Sequence, residues 1–181
     1  LQYDQNILSY IREAKIDHHK PGLVDILLCV NGLPLATAEV KNLETEQTYK
    51  NAEKQYRETR HPEARLLEFK KRTLVHFAID QHNISMTTEL NWGKTKFRPY
   101  NQGRNDGAGN PDNKPYRTSY LWEKIWQKDI WLDIFKNFIH IETEDPVDGL
   151  IPTTEHLIFP RYHQLDCVLE LVDASKKNGP G

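Results

Sequence analysis

Residues 23–41, Leu-Val-Asp-Ile-Leu-Leu-Cys-Val-Asn-Gly-Leu-Pro-Leu-Ala-Thr-Ala-Glu-Val-Lys, decide how this chain folds. Two apolar runs, Leu23–Val30 and Leu33–Val40, are separated by Asn31-Gly32. This dipeptide favours a tight hairpin turn because both of its residues tolerate positive φ. The stretch therefore predicts two adjacent antiparallel strands joined by a short turn.

Charged residues interrupt these strands. Asp25 lies in the first apolar run and Glu39 in the second, and burying an unpartnered carboxylate is costly. Lys41 follows two residues after Glu39, and residues i and i+2 of a strand share a face. Because a hard cation takes oxygen ligands, we expect Asp25, Glu39 and the backbone carbonyl of Val40 to hold Mg²⁺. Lys41 would orient or deprotonate an attacking water and stabilise the charge that develops at phosphorus.

The register of the hairpin decides whether the two carboxylates can meet. A regular two-residue turn places Asp25 opposite Ala38, on the other face of the sheet from Glu39. A shared metal site therefore requires an odd loop, a β-bulge or a bend before Asp25. The alternative from spacing alone is a structural hairpin, in which Asp25 caps a strand and Glu39 and Lys41 form a surface ion pair.

The remaining apolar patterns alternate between strand and helix. The sequence predicts a strand or a short helix at 7–16, and a helix at 45–60 that Pro62 ends. Further strands are predicted at 73–80, 84–88 and 95–98, and further helices at 119–126, 130–139 and 161–175. A loop is predicted at 101–115 and an acidic linker at 142–152. This order predicts an α/β fold with a mixed central β-sheet flanked by helices.

The composition is typical of a soluble globular chain. It has 181 residues, a formal net charge of −2 and no apolar run of about 18 residues, so we expect no membrane span and a cytoplasmic location. Cys29 and Cys167 are expected to be reduced thiols. Residues 41–72 contain nine Lys and Arg and six Asp and Glu, whereas residues 142–173 contain one Arg and eight acidic residues. Basic segments of this kind can hold a phosphate backbone, although they are also common on solvated surfaces.

The residues around the hairpin closely resemble the nuclease domain of type I restriction enzyme R subunits, which belongs to the PD-(D/E)xK nuclease superfamily. The resemblance begins with residues 24–35 and 38–42 and continues in order along nearly the whole chain. The other matching segments are Gln55-Tyr56-Arg57, residues 74–80, Met86-Thr87-Thr88, Gly109-Asn110-Pro111, residues 118–123 and residues 157–166. It implies the restriction-endonuclease-like fold, with Asp25 and Glu39 as metal ligands and Lys41 as the catalytic lysine.

Two positions depart from the superfamily's pattern. Val24 stands in place of the proline that precedes the aspartate in the motif, a change that the superfamily tolerates. Related nucleases carry a Gln-x-x-x-Tyr motif on the helix after the lysine, whereas Gln55 and Tyr56 are adjacent here. The altered spacing weakens the assignment of Gln55, and Tyr56 is expected in the core.

The predicted helix at 45–60 carries the candidate DNA contacts. These are Gln55, Lys54 and Arg57, whose side chains could reach a phosphate backbone. The alternative is a solvated helix face on which neighbouring glutamates neutralise the basic side chains. Glu13 is a further candidate, as an upstream acidic residue that joins the metal site in some relatives.

The last matching segment lies, in the family, just before an ATPase motor. Gln164 occupies the position of a glutamine that reads adenine there, so it would bind nucleotide only in the full-length subunit. ATP is accordingly expected as a cofactor of that subunit and not of this chain. The sequence is divided into a nuclease domain at 1–150 and, at 151–181, a linker and first helix leading toward the motor.

The resemblance implies an Mg²⁺-dependent endonuclease that hydrolyses double-stranded DNA with little sequence preference of its own. It also implies coupling to ATP-dependent translocation, with the methyltransferase (M) and specificity (S) subunits as partners. One alternative is a non-catalytic docking or DNA-binding module, against which the presence of Asp25, Glu39 and Lys41 together argues. The other is a stand-alone DNA repair nuclease of the same fold, against which the motor-like segment at 159–166 argues.

Overall fold

The computed structural model describes residues 3–104, 107–112, 115–144 and 154–179. Within these ranges the strands are β1 (Leu8–Lys15), β2 (Leu23–Val30), β3 (Leu33–Val40), β4 (Val75–Ile79), β5 (Ile84–Thr87), β6 (Arg98–Pro99), β7 (His140–Glu144) and β8 (Thr154–Ile158). The α-helices are α1 (Tyr49–Glu58), α2 (Lys128–Asp133) and α3 (Tyr162–Asn178). None of the helices in the described ranges has the length and apolar character that crossing a membrane requires.

The central sheet has six strands in the order β1-β2-β3-β4-β5-β6. β3 and β4 are parallel, whereas every other neighbouring pair is antiparallel. A parallel pair needs a crossover connection, and α1 lies in the segment that supplies it. The predicted α/β class with a mixed central sheet and helices is confirmed, and it agrees with the PD-(D/E)xK-like fold that the resemblance implies.

Hydrophobic residues pack on both faces of this sheet. Leu28 of β2 belongs to the larger core and Leu27 to the smaller, as the alternation of side chains along a strand requires. Trp131 of α2 and Leu165 of α3 fill the larger core, whereas Tyr56 of α1 fills the smaller. Helices therefore cover both faces, and α1 lies on the same face as Leu27 and Cys29 of β2.

The β2–β3 hairpin closes with a regular two-residue turn. Asn31 and Gly32 have φ values of 52° and 78°, as this turn requires. The two residues that flank the turn pair with each other. Continued without interruption, that register would place Asp25 and Glu39 on opposite faces of the sheet.

A β-bulge at Leu35 shifts the register by one residue. Beyond the bulge, Ile26 pairs with Ala38. The next residues outward along the two strands are Asp25 and Glu39, which therefore lie opposite each other with their side chains on one face. The irregularity that a shared site needed is present, and it is a bulge rather than an odd loop.

The predicted N-terminal elements differ from the structure mainly in their bounds. Residues 7–16 contain a strand, β1, and no helix. The helix predicted at 45–60 begins only at Tyr49, because Leu43–Thr45 forms a separate 3₁₀ turn and Thr48 caps α1 together with Asn51. The strand predicted at 95–98 is wrong in its first three residues, since β6 is only Arg98–Pro99.

The predicted C-terminal helices are interrupted. In place of the helix expected at 119–126 there is one π-type turn, Leu121–Ile125, in which the Trp126 N–H donates to the Leu121 carbonyl. The helix expected at 130–139 consists of the end of α2 followed by a second π-type turn, Ile134–Phe138. Each of these wide turns spans only five residues, which is too short for sequence periodicity to distinguish it from a turn of α-helix.

The acidic linker predicted at 142–152 is wrong in its first three residues. They belong to β7, which pairs antiparallel with β8 in a two-stranded sheet. The rest of the predicted linker, the predicted boundary at 150 and parts of the loop at 101–115 lie outside the described residues. The division into 1–150 and 151–181 stays a prediction, and Phe159, Tyr162 and Leu165 contribute to the same core as the central sheet.

Replacing Gly32 by alanine tests the turn. A Cβ at Gly32 would meet no atom within 4 Å, so any loss comes from its φ of +78°. An L residue in this region costs about 1 kcal/mol. We expect Gly32→Ala to lower the free energy of unfolding in urea by about 1 kcal/mol. Gly93→Ala is the matched control, because its Cβ also meets nothing and its φ is not positive; equal losses in the two variants would contradict this explanation.

Candidate active site

The three residues singled out from the sequence lie together near the C-terminal end of β3. Asp25 reaches across from β2, and its Oδ2 accepts a hydrogen bond of 2.7 Å from the Val40 N–H. The Lys41 N–H donates to the Ile79 carbonyl at 2.8 Å, which continues the parallel pairing with β4 past the end of β3. The charges of Asp25 and Lys41 both act on the pKa of Glu39. The bulged hairpin and the parallel pair therefore bring two carboxylates and one ammonium group into one site.

Glu39 is fully buried, with 0% of its surface exposed. Its Oε1 accepts a hydrogen bond of 2.7 Å from Nε of Arg60, which follows the end of α1. Its Oε2 is buried and has no hydrogen-bond partner among the described residues. Buried carboxylate oxygens in folded proteins are nearly always satisfied, so this atom requires an explanation.

The buried environment of Glu39 disfavours the charged form of its carboxylate. Burial raises the pKa of Glu39 to about 7. The hydrogen bond and charge of Arg60 oppose that shift, the neighbouring charge of Asp25 adds to it, and Lys41 lowers the pKa again. A buried carboxylate beside a like charge is stable only with a compensating positive charge next to it.

These residues fit a divalent cation. The bare Oε2 of Glu39 and the carboxylate of Asp25 are hard oxygen ligands on one face, and hard cations prefer such ligands. The Val40 N–H donates to Asp25, and the Val40 carbonyl stays the predicted third ligand. Within the described ranges there is no group of three or more His, Cys, Asp and Glu that could hold a metal ion. Two carboxylates with backbone and water oxygens suit Mg²⁺ better than a metal that needs an all-protein ligand set.

A buried polar network lies on the same face, two residues before Glu39 along β3. The Thr37 hydroxyl oxygen is 2.8 Å from the Tyr56 hydroxyl and 2.8 Å from Nδ1 of His76. Burial lowers the pKa of His76 to about 3 and, together with the charge of Glu39, raises the pKa of Tyr56. All three side chains are therefore neutral near pH 7 and connect β3 to α1 and β4. The expectation that Tyr56 is a core residue is confirmed.

The candidate DNA contacts on α1 have different surroundings. Arg57 donates to Glu53 at 3.0 Å and to the Thr95 carbonyl at 3.1 Å, and its guanidinium lies over the Phe97 ring. Its side chain is thus part of the packing between α1 and the segment before β6. Gln55 is half-buried.

Lys54 is the candidate on α1 that points outward. Its side chain is 66% exposed, and its ammonium is 3.9 Å from the carboxylate of Glu58. An exposed pair at this distance is weak, so Lys54 can exchange Glu58 for a phosphate at little cost. Glu13 is also exposed, in a left-handed conformation with φ of 50°.

Gln164 lies far along the chain, at the beginning of α3. Its Oε1 accepts a hydrogen bond of 3.0 Å from the Arg161 N–H and so caps the helix. The adenine-binding role expected for Gln164 in a full-length subunit stays a prediction.

The sequence analysis did not identify Arg60 as a partner of Glu39. Arg60 is one of several basic residues in the segment predicted as a helix at 45–60, and the local sequence does not distinguish it from the others. The only local signal was its position just after the helix, where a cation meets the negative end of the helix dipole. Its contact with a residue 21 positions earlier depends on the crossover geometry.

Comparison with known proteins supports the resemblance. A family model described as the N terminus of type I restriction enzyme R proteins matches residues 2–95. The matched region is just over half of the 181 residues and contains Asp25, Glu39, Lys41 and Arg60. No curated protein matches the chain.

Acid pH should destabilise the fold through His76. Burial lowers the pKa of His76 from 6.5 to about 3, so between these pH values the unfolded chain holds a proton that the folded chain does not. The contribution to stability is complete above pH 6.5 and is lost as the pH falls toward 3. We expect a loss of about 2 kcal/mol between pH 7 and pH 5 from this residue, measured by urea unfolding.

The matched variants are His76→Gln, whose side chain cannot gain a proton, and His140→Gln at an exposed position. His76→Gln should show a smaller loss between pH 7 and pH 5, whereas His140→Gln should behave as wild type. Identical pH slopes for all three proteins would show that His76 titrates normally.

Proposed function

The chain belongs to the family of type I restriction enzyme R protein N-termini, and from this membership and the site geometry we propose that it is an Mg²⁺-dependent endonuclease domain. Its substrate is the phosphodiester backbone of double-stranded DNA. The observation that carries this proposal is the pair of carboxylates across the bulged hairpin, with the buried Oε2 of Glu39 lacking a protein partner.

Asp25, Oε2 of Glu39 and the Val40 carbonyl would hold the cation. Bound there, Mg²⁺ would stabilise negative charge on the scissile phosphate and lower the pKa of a coordinated water. The hydrogen bond from the Val40 N–H fixes Asp25, and Arg60 fixes Glu39. Both carboxylates are therefore oriented before substrate arrives, which reduces the reorganisation needed during catalysis.

Lys41 is the proposed catalytic residue at the phosphate. Its backbone is held by the Ile79 carbonyl, and its side chain is half-buried beside the two carboxylates. From this position the ammonium group can orient the attacking water and donate a hydrogen bond to a phosphoryl oxygen. A positive charge beside the developing negative charge lowers the barrier without moving any atom of the protein.

The proposed domain holds DNA through its backbone rather than through base contacts. The candidate contacts, Lys54, Gln55 and Arg57, are suited to phosphate and sugar, which carry no sequence information directly. We further propose that site selection comes from the specificity subunit of a complex that also contains the methyltransferase subunit. In the full-length subunit, ATP-driven translocation by a separate motor, to which Gln164 would contribute, precedes cutting; the complex would act in the cytoplasm.

Plasmid cleavage by the reconstituted complex, with ATP and Mg²⁺, tests the catalytic assignment. We expect Asp25→Asn and Lys41→Met each to reduce cutting by on the order of 100-fold or more, because each removes a group that stabilises charge at the phosphate. ATP hydrolysis and translocation should persist. Lys176→Met, which removes an exposed lysine from α3, is the matched control and should cut at the wild-type rate. Wild-type cutting by both site variants would show that the hairpin is structural.

DNA affinity measured against salt concentration tests Lys54. If its ammonium contacts a phosphate, Lys54→Met should weaken binding to duplexes of unrelated sequence by similar factors and reduce the salt slope by about 1. Lys177→Met is the control, since that lysine pairs with Asp173 on α3 at 2.6 Å. An unchanged slope in Lys54→Met would assign this residue to a solvated helix face.

A further inference from the structure

The hydrogen-bond partner of Glu39 is Arg60, a buried arginine whose side chain is held by its neighbours. Side-chain exposure is 10% for Arg60 and 0% for Glu39, and Nε of Arg60 is 2.7 Å from Oε1. Nη1 of Arg60 also donates to the Thr59 hydroxyl at 3.2 Å. On the other side, a Cβ added at Gly22 would lie 3.6 Å from the same nitrogen, an ordinary contact distance, so Gly22 packs against the guanidinium. Packing and hydrogen bonds thus fix both the position and the direction of Arg60.

The contact engages only half of the carboxylate. Arg60 donates through Nε to Oε1, whereas Oε2 is buried without a partner in the described part of the chain. If Arg60 only neutralised a structural glutamate, we would expect the bidentate arrangement, in which both carboxylate oxygens accept from the guanidinium. The observed contact is monodentate, and it leaves Oε2 unused by any described residue while the charge of Asp25 acts on the same carboxylate.

We propose that Arg60 is a positioning residue, which holds Glu39 so that Oε2 is presented to the divalent cation. This inference rests on the proposed metal site and adds a residue to it. Arg60 does not touch the cation or the DNA; it acts through Glu39. Residues that hydrogen-bond to metal-binding side chains typically contribute 10–100-fold to metal affinity.

The opposite role, a tethered cation that competes with the metal, makes a different prediction. A competitor would occupy the oxygen that the metal needs, and its removal would tighten metal binding. In this structure Arg60 and the cation would use different oxygens of Glu39. Sharing one carboxylate in this way favours positioning over competition.

The test is a calorimetric titration of the chain with Mn²⁺ at fixed pH. We expect Arg60→Met to weaken Mn²⁺ binding by about 10–100-fold, and Arg60→Lys, which keeps the charge but lacks the Nε–H, to lie between Arg60→Met and wild type. Arg65→Met removes an exposed arginine five residues further along and should bind as wild type. In cleavage assays, excess Mn²⁺ should restore Arg60→Met, because its catalytic groups are intact.

Further variants separate the possible failures. If Asp25→Asn binds Mn²⁺ as wild type does, the proposed metal site itself is wrong. If Asp25→Asn loses binding but folded Arg60→Met and Arg60→Lys keep wild-type affinity, only the role of Arg60 is wrong, and tighter binding would assign it as a competitor. Circular dichroism verifies folding; if Arg60→Met does not fold, the affinity of Arg60→Lys decides the question.

Discussion

The site depends on one extra residue in β3. Side chains alternate between the two faces of a strand, so a shift of one position moves every later residue to the other face. The two-residue turn at Asn31-Gly32 would by itself separate the carboxylates, and the bulge at Leu35 reverses that separation. Asp25 and Glu39 then share a face, and the charges of both act on Tyr56 of α1. A local backbone irregularity, rather than any special side chain, therefore creates the pair.

Pairing the carboxylates creates an electrostatic cost that the surrounding elements must offset. Glu39 is removed from water beside a like charge, and a buried carboxylate without a counter-charge would destabilise the fold by several kcal/mol. Arg60 supplies that counter-charge from the end of α1, the helix of the β3–β4 crossover. The parallel pairing that requires a crossover thus also provides the arginine. The Thr37–Tyr56–His76 network fixes the same three elements to one another without adding charge.

The features that were predictable from the sequence are those with local causes. The hairpin follows from Asn-Gly between two apolar runs, and Asp25 and Glu39 stand out as charges within those runs. The bulge could be stated only as a requirement, because nothing in residues 33–40 indicates which residue is extra. The Glu39–Arg60 contact, the pairing of β7 with β8 and the π-type turns around α2 depend on distant packing, so local periodicity did not reveal them.

The cost of the site is also the strongest argument about what it is for. Replacing a buried ion pair by well-packed apolar residues is often neutral or stabilises a protein by about 1–4 kcal/mol. A module kept only for docking would gain from such a replacement at Glu39 and Arg60. This chain instead keeps two carboxylates together, one of them with a buried oxygen that no described residue satisfies, and a lysine two residues further on. A buried oxygen without a hydrogen-bond partner costs stability in the free protein, and a bound cation would explain why it is kept. A cation held by two carboxylates next to a lysine is an arrangement suited to phosphodiester hydrolysis.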